Sequence, residues 1–125
     1  MGVFEVTVQI GNLTGEWSEP ISALVDTGSS HTMVAAPLLD RLGIGHVESI
    51  PFELADNRVT DLDVGEGRIR IDGRERNTLL VFGQPDASAL LGASTLEVFN
   101  LGVDPVGQRL VPVRGLLKST TNIPP

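Results

Sequence analysis

Ala23-Leu24-Val25-Asp26-Thr27-Gly28-Ser29-Ser30 decides how the rest of the chain is read. Apolar residues run straight into a carboxylate, a small hydroxyl and a glycine. A carboxylate at the end of a buried strand is costly to ionise unless hydrogen-bond donors reach it. Thr27 sets a hydroxyl beside Asp26, and Gly28 permits a tight turn whose backbone N–H groups can point at the carboxylate. An Asx-type turn closing a hairpin would use the same residues for no chemical purpose. Against that plainer reading stand the apolar lead-in, the serine pair, and Leu90-Leu91-Gly92 further on, preceded by Leu79-Leu80-Val81-Phe82.

Toward the N-terminus, Phe4, Val6, Val8 and Ile10 alternate with Glu5, Thr7 and Gln9, the pattern of a half-buried strand. Gly11-Asn12-Leu13-Thr14-Gly15 turns, and Ile21 to Val25 returns as a strand that delivers Asp26 at its end. Toward the C-terminus, Pro37 to Leu42 reads as a short helix stopped by Gly43. Ile50 to Leu54 and Arg58 to Val64 flank Ala55-Asp56-Asn57, a hairpin with a polar tip. Arg68 to Ile71 alternates again, Asp72-Gly73 turns, and Asn77 to Phe82 forms another strand. Leu90-Leu91-Gly92 is a brief buried strand, and Ala93 to Phe99 has helical spacing with Ser94 able to cap it. Leu101 to Val103 and Arg109 to Val113 bracket Asp104-Pro105-Val106-Gly107-Gln108 as a third hairpin. The expected fold is all-β, a closed or semi-closed barrel of about seven to nine short strands with one or two short helices. Residues 1–115 are expected to form one domain, and the stretch 116–125 a disordered tail.

Composition narrows the function. Nine Lys and Arg against 16 Asp and Glu leave a net charge of −7, which repels phosphate backbones and anionic membranes, so nucleic acid is not an expected partner. No apolar run approaches the roughly 20 residues of a membrane span. No basic-then-apolar leader opens the sequence, and a cytoplasmic location is the expectation. The acceptor-like triplet Asn12-Leu13-Thr14 then has no secretory context. Cysteine is absent and only His31 and His46 offer imidazole, so neither a metal nor another cofactor is expected.

In order and spacing, Asp26-Thr27-Gly28, the hairpin around Asp56-Asn57, the strand Leu79 to Phe82, Leu90-Leu91-Gly92 and the helix after it resemble a retroviral-type (retropepsin-like) aspartic protease. The resemblance spans about Val3 to Val103. It implies an endopeptidase acting on extended peptides, with two carboxylates flanking a water. Such a pair cannot readily ionise twice and shares one proton, the effect for which aspartic proteases are the usual illustration. The chain holds a single Asp-Thr-Gly, so the resemblance implies a homodimer in which each protomer contributes Asp26.

The same resemblance assigns further roles. Thr27 would bond across the twofold axis, Gly28 would let the substrate backbone approach, and Ser29 would donate to the carboxylate, favouring its ionised form. Ser30, the hairpin tip Ala55, Asp56 and Asn57, and Leu91 would meet substrate. Two departures stand out. Ser30 and Ala93 occupy positions where many viral members carry an Asp–Arg pair, a joint loss consistent with a cellular branch. The Ala55-Asp56-Asn57-Arg58 tip replaces a glycine-rich one, which implies a stiffer, more hydrated hairpin.

Other readings stay open beside this one. A catalytically silent dimerisation or peptide-binding domain would keep the fold, and a fragment of a larger polyprotein would suit the polar tail. Asp26, Ser29 or Ser30, and His31 supply the residue types of a hydrolase triad, but they crowd onto one loop with no Gly-x-Ser-x-Gly turn. His31 reads as a loop residue near the site and His46 as a surface residue. Glu66 and Asp72 with Arg68, Arg70, Arg74 and Arg76 read as a solvated strand face with cross-strand charge pairs. Trp17 reads as packing over an edge rather than lining a cleft.

Overall fold

The structure, a computed structural model, describes residues 2–117. The alternating first segment is β1 (Gly2–Gly11), paired antiparallel with β2 (Ile21–Asp26). Val8 and Ile10 face the core while Glu5 and Thr7 face outward. After the Asp26 loop come β3 (Thr32–Ala35) and α1 (Ala36–Arg41), which carries Pro37 in its first turn and ends before Gly43. Next are β4 (Glu48–Glu53), β5 (Val59–Ile71), β6 (Arg74–Gly83), β7 (Ala89–Leu91) and α2 (Ala93–Val98). The last elements are β8 (Leu101–Asp104) and β9 (Arg109–Pro112).

Seven strands form one sheet in the order β1-β2-β7-β3-β6-β5-β4, and β8 with β9 forms a separate two-stranded sheet. The tail of β1 also pairs with β5, Gln9 opposite Arg70 and Ile10 opposite Ile69, so the pairings return to their starting strand. Inside this circuit Val8, Ile10, Val25, Val34, Leu80, Phe82 and Leu91 share one core with Leu39 of α1 and Leu96 of α2. Both helices pack on β3 and β6. No helix among the described residues is long and apolar enough to cross a membrane.

Four expectations change. The strand β3 was not foreseen: its four residues form no isolated pattern, and parallel pairing with β6 makes them a strand. The alternation read as two segments, to Val64 and from Arg68, is one continuous β5. Ser94 does not cap α2. The N-cap is Gly92, and the Ser94 hydroxyl is buried in the first turn without a hydrogen-bond partner among the described residues. Finally, the arginines do not pair with Glu66 or Asp72. Register places Glu66 opposite Leu79, and Arg68 and Arg70 reach Glu75 at 3.1 and 2.8 Å.

Trp17 packs as expected, lying over Gly11 with the Arg70 guanidinium 4.0 Å from its ring centroid. Of the expected tail, Leu116 and Leu117 are exposed, and residues 118–125 lie outside the described residues.

Candidate active site

Three strands converge beneath Asp26. β7 lies between β2 and β3, parallel to β2, with Leu24 opposite Leu90 and Val25 opposite Leu91. The chain leaves β2 at Asp26, loops through residues 27–31, and returns as β3 on the far side of β7. The loop therefore arches over the end of β7, where the next residue is Gly92.

Contact at that point is backbone to backbone. A Cβ added at Gly92 would stand 2.2 Å from the His31 carbonyl oxygen and 2.4 Å from its carbon, so only glycine fits under the arch. The first amides of α2 finish the support: Ala93 N–H donates to the Ser29 carbonyl at 2.8 Å and Ser94 N–H to the Ser30 carbonyl at 2.9 Å. Beneath them runs a buried hydroxyl chain. Gly92 N–H donates to Thr32 Oγ1 at 3.0 Å, Thr32 and Thr95 hydroxyls are 2.6 Å apart, and Thr95 meets Thr78 at 3.0 Å. Each hydroxyl both donates and accepts, so the chain satisfies polar atoms at positions only 1% and 0% exposed.

On this platform the Asp26 carboxylate is half-buried and held from two sides. Gly28 N–H donates to Oδ1 at 3.0 Å and the Ser29 hydroxyl to Oδ2 at 3.2 Å. Burial pushes its pKa up. Hydrogen bonds pull it down, those among the described residues from Gly28 and Ser29, and they leave the carboxyl below the usual carboxylate value. Thr27 and Gly28 are exposed beside it. Ser30 is also exposed, and its hydroxyl is 2.7 Å from His31 Nδ1.

A ring contact joins the β4–β5 hairpin to the loop: Phe52 meets His31 edge to face, with centroids 5.1 Å apart. Its tip, residues 54–58, is closed by Leu54 N–H to the Arg58 carbonyl at 2.8 Å, with Asn57 at φ 68°. Ala55, Asp56 and Asn57 are exposed there, and Arg58 Nε bonds Asp56 Oδ2 at 2.6 Å. His31 thus packs against the hairpin, in keeping with its reading as a loop residue near the site.

Leu91 departs from its expected role. It is 0% exposed in the core, while Leu90 is half-buried on the same face as Leu24 and Asp26. An open cavity of about 380 Å³ lies to one side, where three-residue β7 leaves β2 and β3 unbridged. Ile21, Leu24, Val34 and Leu38 line it with Glu5 on the rim, and Asp26 is not among its walls. Among the described residues no cluster of three or more His, Cys, Asp or Glu side chains could hold a metal ion.

Comparison with known proteins agrees with this architecture. No curated protein sequence matches the chain. The solution structure of the simian foamy virus (mac) protease is similar, with a TM-score of 0.55 and 16% identity over 74% of this chain and 91% of that one. Residues 6–95, which run from β1 into α2, match the model of a family described as aspartyl protease. With Asp26-Thr27-Gly28 on a loop crossed by Gly92, and that match over most of its length, the chain belongs to the aspartyl protease family and has a retropepsin-like fold.

Proposed function

We propose that the protein is an aspartic endopeptidase, a symmetric homodimer of two β-barrels in which the two Asp26 carboxylates hydrolyse a peptide bond. The observation that carries this reading is the Asp26 carboxylate itself, held by Gly28 N–H and the Ser29 hydroxyl on a braced loop with open faces at Thr27 and Gly28. Two donors on one half-buried carboxylate at a strand end favour its charged form, the form that can take a proton from water.

In the proposed reaction a water lies between the two carboxyl groups. The ionised one takes a proton from that water as its oxygen attacks the carbonyl carbon, and the protonated one gives its proton to the carbonyl oxygen. The resulting gem-diol collapses when one diol proton returns to a carboxylate and the other carboxyl protonates the amide nitrogen. The C–N bond breaks and leaves one acid and one amine. One proton is again shared by the pair.

The remaining residues take supporting parts. Thr27 bonds across the axis, and Gly28 and Ser30 meet the substrate backbone. Ala55, Asp56 and Asn57 cover the substrate from the hairpin tip, and the substrate lies as an added strand between hairpin and loop. Leu90, rather than Leu91, presents apolar surface beside Leu24. Residues 1–115 act as the catalytic domain, with 116–125 an appended tail.

Wild type and Asp26→Asn, offered a diverse peptide mixture from about pH 3 to about pH 8, test this. The loss expected in the variant is at least about 10³-fold, as for other essential catalytic groups. Equal cleavage by both proteins would overturn the reading. No cleavage by either, from a folded dimer, would favour a silent peptide-binding domain.

A further inference from the structure

One titratable side chain away from the Asp26 loop joins three elements. His46 lies in the connection between α1 and β4. Its Nε2 is 3.0 Å from Asp40 Oδ1 on α1, and its Nδ1 is 2.7 Å from Asp63 Oδ2 on β5. The ring stacks on Phe82 of β6, centroids 3.9 Å apart at 28°. Asp63 stands opposite Ser49 near the root of the β4–β5 hairpin, and there Val47 N–H donates to the Val64 carbonyl at 2.8 Å. The same connection touches β5 by its backbone: a Cβ added at Gly65 would fall 2.3 Å from the Gly45 carbonyl oxygen.

Both ring nitrogens face carboxylate oxygens. A neutral imidazole has one N–H and one lone pair, so it donates to one carboxylate and turns its lone pair on the other. Only the imidazolium donates to both. The charged groups facing it are Asp40 from α1 and Asp63 from β5. β6 presents the uncharged Phe82 ring, and the nearest carboxylate along β4 is Glu48, two residues on.

We propose that His46 is a proton-gated positioning residue. As an imidazolium it clasps Asp40 and Asp63 together and fixes the root of the β4–β5 hairpin against α1, and as a neutral ring it releases one of them. Its bearing on catalysis rests on reading that hairpin as the substrate cover; the clasp itself does not. The hydrogen bond to Asp40, then that to Asp63, raises the His46 pKa above its ordinary value. The clasp is therefore complete below the ordinary imidazole value and is lost as pH rises through the raised one. Acid then does two things at once: it leaves the shared proton on the Asp26 pair and tightens the hairpin that covers it.

Amide hydrogen exchange of the whole chain, corrected for intrinsic rates, reads the clasp without any cleavage. At about pH 5.5 the Val47 amide and its neighbours in the hairpin root should be about fivefold better protected than at about pH 8.5, a modest step because the pair is solvent-exposed. His46→Gln and Asp63→Asn should abolish that difference. Should both variants fold poorly, the wild-type His46 imidazole shifts and the Val47 amide protection must change together through one titration. An unchanged pH dependence in His46→Gln, an equal loss of protection at both pH values, or a His46 titration that leaves Val47 unaffected would overturn the assignment. An inactive protein with a working clasp would count against the endopeptidase reading alone.

Discussion

Ser29 is where a single atom adjusts the chemistry. Its hydroxyl donates to Asp26 Oδ2, and a donor to the ionised form lowers a carboxyl pKa. Ser29→Ala removes that donor and should move the acid limb of the pH–activity profile toward higher pH, with the maximal rate falling by less than about tenfold, since Gly28 N–H still holds Oδ1. A pH series on any cleaved peptide checks it, and an acid limb that stays put would show that Ser29 does not face the working carboxylate. The residues around Asp26 were legible in sequence because much of their chemistry is local: the carboxylate, the turn and the donors from Gly28 and Ser29 lie within four positions. Leu91 was misjudged for the opposite reason. Whether Leu90 or Leu91 faces outward depends on the pairing of β7 with β2, and a three-residue run has no alternation to reveal it.

At the scale of elements, the loop is held by what crosses beneath it. Gly92→Ala would drive a methyl group into the His31 backbone, which cannot rotate away as a side chain could. It should destabilise the fold by about 3 kcal/mol or more, within the range of severe overpacking. Thr32→Val is a milder probe of the same brace. It deprives Gly92 N–H and Thr95 of a buried partner and should cost about 1–3 kcal/mol. Chemical denaturation measures both, and near-wild-type stability for Gly92→Ala would contradict the close crossing. Hairpins, short helices and the strand leading to Asp26 could be read in advance because period and turn residues mark them. The four-residue β3 could not: it is a strand only because β6 and β7 lie on either side of it. The partner of Arg68 and Arg70 was likewise a matter of register, which sets Glu75 across from Arg70.

At the scale of the molecule, one chain presents an open Asp26 loop and exposed apolar residues near its end, Val98, Val113, Leu116 and Leu117. Both features suit a surface that a second copy covers in the proposed dimer. Two carboxylates brought together retain a proton that separated chains release, so the dimer binds more protons than its parts and acid should favour it. The dissociation constant should therefore rise as pH climbs from the acid range through the point where the pair loses its shared proton, and Asp26→Asn should flatten that dependence. Sedimentation across pH decides the matter. A pH-independent constant in wild type would mean that the carboxylates do not meet at the interface.

The most direct test of a shared active site is to mix the two proteins. Asp26→Asn chains that still dimerise should trap wild-type chains in pairs with one carboxylate. At a ninefold excess of variant, random pairing leaves about a tenth of the wild-type chains with a wild-type partner, so activity per wild-type chain should fall about tenfold. Activity that is indifferent to added Asp26→Asn protein would mean that each chain works alone, and the two-carboxylate account would be wrong.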